Sequence, residues 1–327
     1  MNENNTPLLS VKDLVVEYTS GKNTVHAVNG VSFTLGRGKT LGLVGETGAG
    51  KTTIAKSILR ILPDPPAIVK GGEITFEGQD LLSLPEEDML HIRGRKIAMI
   101  FQDPMTALNP VMTVGDQIME VLKLHKVHMK KEELVNKTIE MLEMVGIPGV
   151  RMVEYPHQFS GGMKQRVVIA MALACDPQLL LADEPTTALD VTIQAQVLQL
   201  INRLKKEFDT SMLLITHDLG VVANTCDDVA VVYAGHIVEM ADRRSLFKHP
   251  THPYTKGLLD SIPKMNTEEA RLTPIPGMPP DPTELPEGCV FAPRCKYATD
   301  ICRKQAPDAV QLSEVHTCWC HNIEREG

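Results

Sequence analysis

The octapeptide GETGAGKT at Gly45–Thr52 limits the folds open to this chain of 327 residues. It fits the pattern G-x-x-x-x-G-K-[ST]. It follows the short apolar run KTLGLVG and precedes a segment whose apolar residues recur at helical spacing until Pro63. The glycines of such a loop let backbone N–H groups close around phosphates, and the following helix adds its positive N-terminus. The pattern therefore predicts a strand, a phosphate-binding loop and a helix in that order.

The same loop predicts a nucleoside triphosphate with Mg²⁺ as its ligand. We expect Lys51 to reach the β- and γ-phosphate oxygens and the Thr52 hydroxyl to bind the metal. The residues predicted to contact the nucleotide here are Gly45, Glu46, Thr47, Gly48, Ala49, Gly50, Lys51, Thr52 and Thr53.

The other apolar runs predict an α/β fold with a parallel-sheet core. QLLLADEP, SMLLITHD and DDVAVVYAG are short, end in polar residues and are separated by helical segments, which is typical of buried parallel strands. Two β-branched stretches between Leu8 and Leu35 predict antiparallel strands joined at TSGKNT. Apolar spacing over Thr113–Gly146 predicts two amphipathic helices in a helical subdomain at about residues 104–165.

Charge and hydropathy restrict the partners that we expect. The formal net charge of −8 argues against nucleic acid as the main partner, because duplex binding draws most of its affinity from basic side chains. The first ten residues have neither the basic nor the apolar part of a signal peptide, and the longest apolar run, at Val167–Cys175, is too short to cross a bilayer. We therefore expect a chain that is not exported.

Polar residues follow two of the predicted parallel strands. Asp183 and Glu184 come directly after one apolar run, and His217 ends the next. Ligands of such sheets bind at the carboxyl ends of the strands. Asp183 is therefore a candidate Mg²⁺ ligand, and Glu184 a candidate for orienting or deprotonating water. Taken alone, the two carboxylates could begin a turn before Pro185, and His217 could cap the following helix.

A set of motifs in a fixed order makes residues 8–255 resemble the ATP-binding cassette family, the nucleotide-binding subunits of ABC transporters. The motifs are the phosphate loop, Gln102 in IFQDP, the signature FSGGMKQR at Phe159–Arg166, LLLADEP, TTALD ending at Asp190, and THD with His217. The resemblance implies an ATPase with an antiparallel β subdomain and a helical subdomain beside the parallel core. Residues 1–255 would form this nucleotide-binding domain.

The resemblance also implies roles for residues outside the phosphate loop. Tyr18 would stack on adenine, and Gln102 would join the Mg²⁺ shell and couple to a membrane partner. Ser160, Gly161 and Gly162 would contact the γ-phosphate of ATP bound to the opposite subunit. The implied catalytic residues are Glu184, His217 and Gln102, the implied Mg²⁺ ligands are Thr52, Gln102 and Asp183, and Asp190 completes the nucleotide site.

FQDPMTALNPVMTVGDQI, HPYTKGLLDSIP and the tail from Gly288 resemble a narrower branch, the D-type ATPases of dipeptide and oligopeptide permeases. This branch implies an ATPase that powers peptide import and lies peripherally at the cytoplasmic face of the membrane. Its partners would be a related F-type ATPase, two transmembrane permease subunits and an extracytoplasmic substrate-binding protein. Nickel chelates and oligosaccharides remain alternative cargoes.

Two other classes of protein compete with a transporter subunit. Soluble cassette proteins of translation or DNA repair usually carry two cassettes or a long coiled coil, and this sequence shows neither. A phosphate-loop GTPase should carry an N-K-x-D motif, and NKTI at Asn136 lacks the aspartate.

Five of the seven cysteines lie within Gly288–Cys320. Their spacings C-x5-C, C-x6-C and C-x15-C differ from the close pairs of common zinc modules, and thiolates at loop positions suit an iron–sulfur cluster. The peptide-importer branch implies a [4Fe–4S] cluster there, with Cys320 able to compete as fourth ligand. Zinc, helped by His316 or His321, and no metal at all remain alternatives. The implied cluster ligands are Cys289, Cys295, Cys302 and Cys318.

A change of composition places a domain boundary near residue 256. Proline is dense between Pro263 and Pro293, and no helix or central strand tolerates that density. Residues 256–327 would therefore form a small cysteine-rich C-terminal extension. It has few large apolar side chains to offset its ordering entropy, so a metal would stabilise it. We expect a cluster there to lie far from the phosphates and to be structural.

Overall fold

The computed structural model describes residues 6–126, 128–187, 189–261 and 274–323, so part of the predicted proline-rich segment lies outside the described residues. The strands are β1 (Leu9–Ser20), β2 (Asn23–Leu35), β3 (Thr40–Val44), β4 (Ala67–Phe76), β5 (Gln79–Asp80), β6 (Ile97–Ile100), β7 (Leu179–Asp183), β8 (Ser211–Thr216), β9 (Asp228–Tyr233), β10 (His236–Asp242), β11 (Ala309–Ser313) and β12 (His316–Trp319). The helices are α1 (Lys51–Ile58), α2 (Glu86–Ile92), α3 (Pro104–Ala107), α4 (Val114–His125), α5 (Lys131–Met144), α6 (Gly161–Leu173), α7 (Val191–Glu207), α8 (Leu219–Thr225), α9 (Arg243–Lys248), α10 (Pro253–Asp260) and α11 (Asp300–Lys304).

The chain divides into two compact units. The first comprises Met1–Leu35, Thr40–Leu82 and Ile215–Gly327, and the second comprises Gly36–Lys39 and Ser83–Leu214. The division falls inside β8. Parallel strand pairs occur in both units, and the predicted α/β fold is confirmed.

An antiparallel sheet with the order β2-β1-β4-β5 belongs to the first unit. One face of β1 is buried because Leu9, Val11, Leu14 and Val16 alternate with more exposed residues. The predicted antiparallel pair is confirmed, but its connection is shorter than the polar segment TSGKNT. Only two residues separate β1 from β2, and the first is Gly21 with a φ of 61°, which suits a tight hairpin turn.

A second sheet of the first unit has the order β11-β12-β10-β9-β3. β3 pairs with β9 in parallel and is buried along its whole length, so these two strands form the centre of the unit. β12 pairs with β10 and places Cys318 opposite Glu239. No strand was predicted in the C-terminal extension. In β12, His316 forms a buried hydrogen bond with Glu239 of β10, with 2.8 Å between Nε2 and Oε1.

The second unit contains β6 and β7, which pair in parallel, and β8 on the other side of β7. Every residue of β7 and β8 is buried, as their apolar runs predict. α4 and α5 confirm the two helices predicted over Thr113–Gly146. α4 begins after Thr113, whose hydroxyl oxygen accepts a hydrogen bond from the N–H of Asp116.

α1 is shorter than the sequence pattern predicts. Apolar spacing continues to Leu62, but the helix ends at Ile58. Arg60 adopts a φ of 52°, its N–H donates to the carbonyl of Ser57, and the N–H of Ile61 donates to the carbonyl of Lys56. These bonds satisfy the last carbonyl groups of the helix in a Schellman motif, with arginine where glycine is usual.

The helix α7 is amphipathic. It is the longest helix among the described residues, with 17 residues, and its buried positions Val197, Leu200, Ile201 and Leu204 form a single stripe. Within the part of the chain that the structure describes, no helix combines the length and the apolar character needed to cross a membrane.

Candidate nucleotide-binding and catalytic site

The predicted phosphate loop connects β3 with α1, and its backbone packs against other strands of the first unit. A Cβ atom added at Gly45 would collide with the carbonyl oxygen of Val232, and one added at Gly50 would collide with the carbonyl oxygen of Ala27. Gly50 also has a φ of 98°, which side chains other than glycine rarely adopt. The two terminal glycines of the motif are therefore required by close backbone contacts as well as by ligand binding.

Lys51 begins α1 and is buried. Its ammonium group donates hydrogen bonds to the carbonyl oxygens of Gly45 and Glu46, at 2.7 and 2.9 Å. The positive charge therefore lies next to the loop backbone and the N-terminus of the helix. Both are features that favour an anion.

Tyr18 and Thr53 are brought together in the first unit. Tyr18 lies near the end of β1 and is half-buried, and its hydroxyl is 3.2 Å from Oγ1 of Thr53. Thr52 is half-buried, whereas Thr47 and Gly48 are exposed on the loop. The residue predicted to stack on adenine is thus anchored to the helix that follows the phosphate loop.

Glu46 forms hydrogen bonds with distant residues that were not predicted. Its N–H donates to the hydroxyl of Tyr254 at 2.9 Å, and its carboxylate accepts from both terminal nitrogens of Arg294 at 2.8 and 3.1 Å. Arg294 directly precedes Cys295 in the C-terminal extension. The expectation that the cysteine region lies far from the phosphate loop is therefore wrong. An ion pair between distant residues has no local sequence pattern, which is why it was missed.

In the second unit, Asp183 and Glu184 lie where β7 ends. Asp183 is the last residue of the strand and is 2% exposed, and Glu184 is 9% exposed. Glu184 has a φ of 45°, a conformation that costs a side-chain-bearing residue roughly 1–2 kcal/mol. Such strain is concentrated at functional sites, where the surrounding structure holds the residue in place.

The carboxylate of Glu184 is oriented by two donors. Nε2 of Gln102 donates to its Oε2 at 3.0 Å, and the hydroxyl of Thr187 donates to the same oxygen at 2.8 Å. Two of the three predicted catalytic residues, Gln102 and Glu184, are therefore in direct contact. Thr187 was not predicted, although it lies in the TTALD motif.

The signature residues open α6. Ser160 caps this helix by accepting from the N–H of Met163 at 3.4 Å, and Gly161 is exposed at the first helical position. A Cβ added at Gly162 would lie 2.6 Å from Cγ2 of Ile193, so this position is closely packed against α7. Asp190 caps α7 by accepting from the N–H of the same Ile193 at 3.0 Å.

His217 follows β8 and is exposed. The next residue, Asp218, caps α8 by accepting from the N–H groups of Gly220 and Val221. The alternative in which His217 is itself the cap of this helix is therefore excluded.

The five thiols of the C-terminal extension are near enough to interact electrostatically. Burial raises the pKa of Cys289 most, and the neighbouring Cys320 and Cys302 raise it further. Burial likewise raises the pKa of Cys320, and Cys295 and Cys302 add to the effect. In Cys318 burial again has the largest effect, followed by Glu239, Cys320 and Cys289.

The thiols are of the right chemical type for an iron–sulfur or zinc site. Among the residues that the structure describes, no group of three or more His, Cys, Asp or Glu side chains could hold a metal ion as placed.

The chain matches known protein families and individual relatives. Residues 28–187 match the family described as "ABC transporter", and residues 238–302 match the family described as "Oligopeptide/dipeptide transporter, C-terminal region". The chain is 51% identical over 323 residues to the dipeptide transport ATP-binding protein DppD of Bacillus subtilis, which covers 98% of this chain and 96% of that protein. This chain belongs to the ABC transporter family of ATP-binding proteins.

Further relatives agree with this assignment. This ABC ATPase is 51% identical over 302 residues to the oligopeptide transport ATP-binding protein OppD of Escherichia coli K12, covering 92% of this chain and 89% of that one. A dimeric structure of the ATP-binding cassette MJ0796 in a post-hydrolysis state, bound to ADP and Pi, matches with a TM-score of 0.65 at 26% identity. The match covers 72% of this chain and 99% of that chain. The predicted cassette fold and ATPase class are confirmed.

Proposed function

We propose that this ABC ATPase powers the import of peptides through a membrane permease complex. One observation carries the proposal: the similarity to dipeptide and oligopeptide transport ATP-binding proteins extends over nearly the whole chain. The match of residues 238–302 to the C-terminal region of such transporters supports peptides over nickel chelates or oligosaccharides as cargo. The same match favours a transporter subunit over a soluble cassette protein of translation or DNA repair.

Uptake by whole cells tests the cargo. Cells that lack this chain should lose the uptake of labelled dipeptides or oligopeptides, because the permease no longer has its source of energy. The wild-type chain should restore uptake, and Lys51→Ala, expressed to the same level, should not. Normal peptide uptake together with loss of nickel or oligosaccharide uptake would assign the other cargo.

We propose further that the chain works as a peripheral subunit at the cytoplasmic face of the membrane. It would pair with a related F-type ATPase on two permease subunits, which receive substrate from an extracytoplasmic binding protein. A dimeric assembly of the related cassette MJ0796 supports pairing of two cassettes.

Affinity purification from membranes tests the assembly. The tagged chain should bring down two hydrophobic permease subunits and a second, different ATPase. Two copies of this chain without another ATPase would contradict the F-type partner. Recovery of ribosomes or DNA would contradict transport altogether.

For the chemistry, we propose that the phosphate loop and Lys51 bind the triphosphate, with Mg²⁺ neutralising charge on its oxygens. Thr52, Gln102 and Asp183 offer the hydroxyl, amide and carboxylate oxygens that Mg²⁺ prefers, which supports them as its ligands. Glu184 would accept a proton from the attacking water. Its contact with the Gln102 amide supports this role, because a base must be held in one orientation.

The remaining predicted site residues complete the proposal. Tyr18 would stack on adenine, and His217 and Asp190 would take part in the catalytic and nucleotide sites. Ser160, Gly161 and Gly162 would contact the γ-phosphate of ATP on the partner ATPase. The start of α6 supports this last role, since the backbone N–H groups of a helix N-terminus attract anions.

We also propose that the C-terminal extension binds a [4Fe–4S] cluster through Cys289, Cys295, Cys302 and either Cys318 or Cys320. The five thiols of the extension include both candidates for the fourth ligand. Cys318 is fully buried in β12. Zinc remains the alternative metal.

Anaerobic purification tests this cluster. The protein should be brown, absorb broadly near about 400 nm and contain about four irons per chain. Cys302→Ser should remove the colour and the iron and leave the extension open to protease, because a ligand is lost. Full colour in Cys318→Ser together with loss in Cys320→Ser would assign Cys320 as fourth ligand, and the reverse would assign Cys318. Colourless protein with about one zinc per chain would contradict the cluster.

A further inference from the structure

Arg294 is a buried cation of the C-terminal extension that contacts the phosphate loop. Its side chain is 5% exposed, and its two terminal nitrogens bind the carboxylate of Glu46 in a paired geometry. The remaining contacts go to the carbonyl oxygens of Pro276 and Ile275 at 3.1 and 3.2 Å and to the hydroxyl of Tyr233 at 3.3 Å. All five N–H groups of a guanidinium can therefore be used, so the side chain has one well-defined position.

Aromatic packing supports this position. The ring centroids of Tyr233 and Phe291 are 5.2 Å apart, and those of Tyr254 and Phe291 are 5.4 Å apart. Phe291 and Arg294 lie in the same short segment. The hydroxyl of Tyr254 accepts a hydrogen bond from the N–H of Glu46 in the phosphate loop. The segment that carries Arg294 is thus packed on the residues that hold the loop.

Glu46 is consequently held by three groups. Tyr254 binds its N–H, Lys51 binds its carbonyl oxygen, and Arg294 binds its carboxylate. Tyr254 and Arg294 both belong to the C-terminal part of the chain, within the same compact unit as the loop. The conformation of the loop at this position therefore depends on the C-terminal part of the chain.

The ion pair also has an electrostatic consequence. Glu46 is the only acidic residue of GETGAGKT, and it lies in a loop that binds a polyanion. Without a partner, its carboxylate would repel the phosphates of ATP. Burial lowers the pKa of Arg294, but the hydrogen bonds to Glu46 and Tyr233 outweigh this and raise the pKa above its ordinary value. Arg294 is therefore charged at every physiological pH.

We propose that Arg294 is a positioning residue for ATP binding, acting through Glu46. It neutralises the carboxylate in the phosphate loop and holds the loop in its binding conformation. The C-terminal extension thereby sets the affinity of the nucleotide site. The inference rests on the assignment of Gly45–Thr52 as the phosphate-binding loop.

Titration of the full-length chain with Mg·ATP tests the inference. Arg294→Ala should weaken ATP binding about tenfold, since a carboxylate near the phosphates loses its counter-charge. Arg294→Lys should lie between this variant and the wild type, because lysine keeps the charge but not the paired hydrogen bonds. The loss in Arg294→Ala should shrink in about 1 M salt, which screens the repulsion.

The Glu46→Gln background separates this role from a purely structural one. With no carboxylate to neutralise, adding Arg294→Ala should change the Kd for ATP by less than about twofold. The same tenfold loss in both backgrounds would overturn the inference. Arg303→Ala is the matched control, because Arg303 is an exposed arginine of the same extension.

Two further variants test whether the extension stays folded and whether Gly45–Thr52 binds ATP. If Arg294→Ala exposes the extension to protease, Arg294→Gln is used in its place. Its amide can still donate to the carbonyl groups of Pro276 and Ile275, and the same tenfold weakening of ATP binding is expected. Lys51→Ala should lose ATP binding in the same assay. Normal ATP binding by Lys51→Ala would refute the assignment of the phosphate loop. If Lys51→Ala loses ATP binding but Arg294→Ala binds ATP normally, only the inference about Arg294 is refuted.

Discussion

Glu184→Gln should lower the ATP turnover of the assembled transporter by roughly 10²-fold or more, the usual contribution of a positioned base. Glutamine keeps the size of the side chain and an oxygen for the hydrogen bonds from Gln102 and Thr187. It has no carboxylate to accept a proton from water. ATP binding should therefore persist while hydrolysis is lost, as measured by phosphate release and by nucleotide titration.

Glu207→Gln is the matched control for this variant. Glu207 is the exposed last residue of α7, so the same chemical change there should leave turnover unaltered. Near-normal hydrolysis by Glu184→Gln would show that another group activates the water. Loss of ATP binding together with turnover would instead show that Glu184 acts in nucleotide binding.

Gly161→Asp should reduce the turnover of the assembled transporter to background and leave ATP binding to the variant's own phosphate loop intact. Gly161 is exposed, and a Cβ added there would meet only Cδ2 of Leu189, at an ordinary 3.8 Å. Aspartate also suits the first turn of a helix, so α6 should remain folded. The effect would come from a carboxylate facing the γ-phosphate of ATP on the partner ATPase.

Gly161→Ala controls for the loss of glycine, because it adds a Cβ but no charge and should keep most of the activity. Phosphate release by the transporter and ATP titration of the isolated chain are the two measurements. Normal turnover by Gly161→Asp would contradict a role at the opposite site. Full turnover by the isolated wild-type chain would contradict the need for a second cassette.

The phosphate loop and its flanking elements could be predicted because their signals are local. The loop motif is a run of eight consecutive residues, and an apolar run such as that of β3 or β7 forms a buried strand in many environments. The caps at Thr113 and Asp190 are also local, since each binds a backbone N–H three residues ahead.

The predicted end of α1 was wrong, and β12 was not predicted. The apolar spacing after Lys51 continues beyond Ile58, but backbone hydrogen bonds around Arg60 end the helix there. The strand β12 was not predicted, and its His316 is hydrogen-bonded to the buried carboxylate of Glu239 in β10. His316 and Glu239 are 77 positions apart, so no local pattern encodes their contact.

The sequence by itself determined the phosphate loop and the residues at the ends of β7 and β8, because each is encoded by neighbouring residues. It determined the cassette fold through the order of the motifs over residues 8–255. Only the tertiary structure decided that Arg294 meets Glu46, two residues separated by 248 positions. It also decided that Thr187 and Gln102 share one oxygen of Glu184. An ion pair or hydrogen bond depends on distance in space, and the order of residues along the chain carries no such distance until the strands have paired and the core has packed.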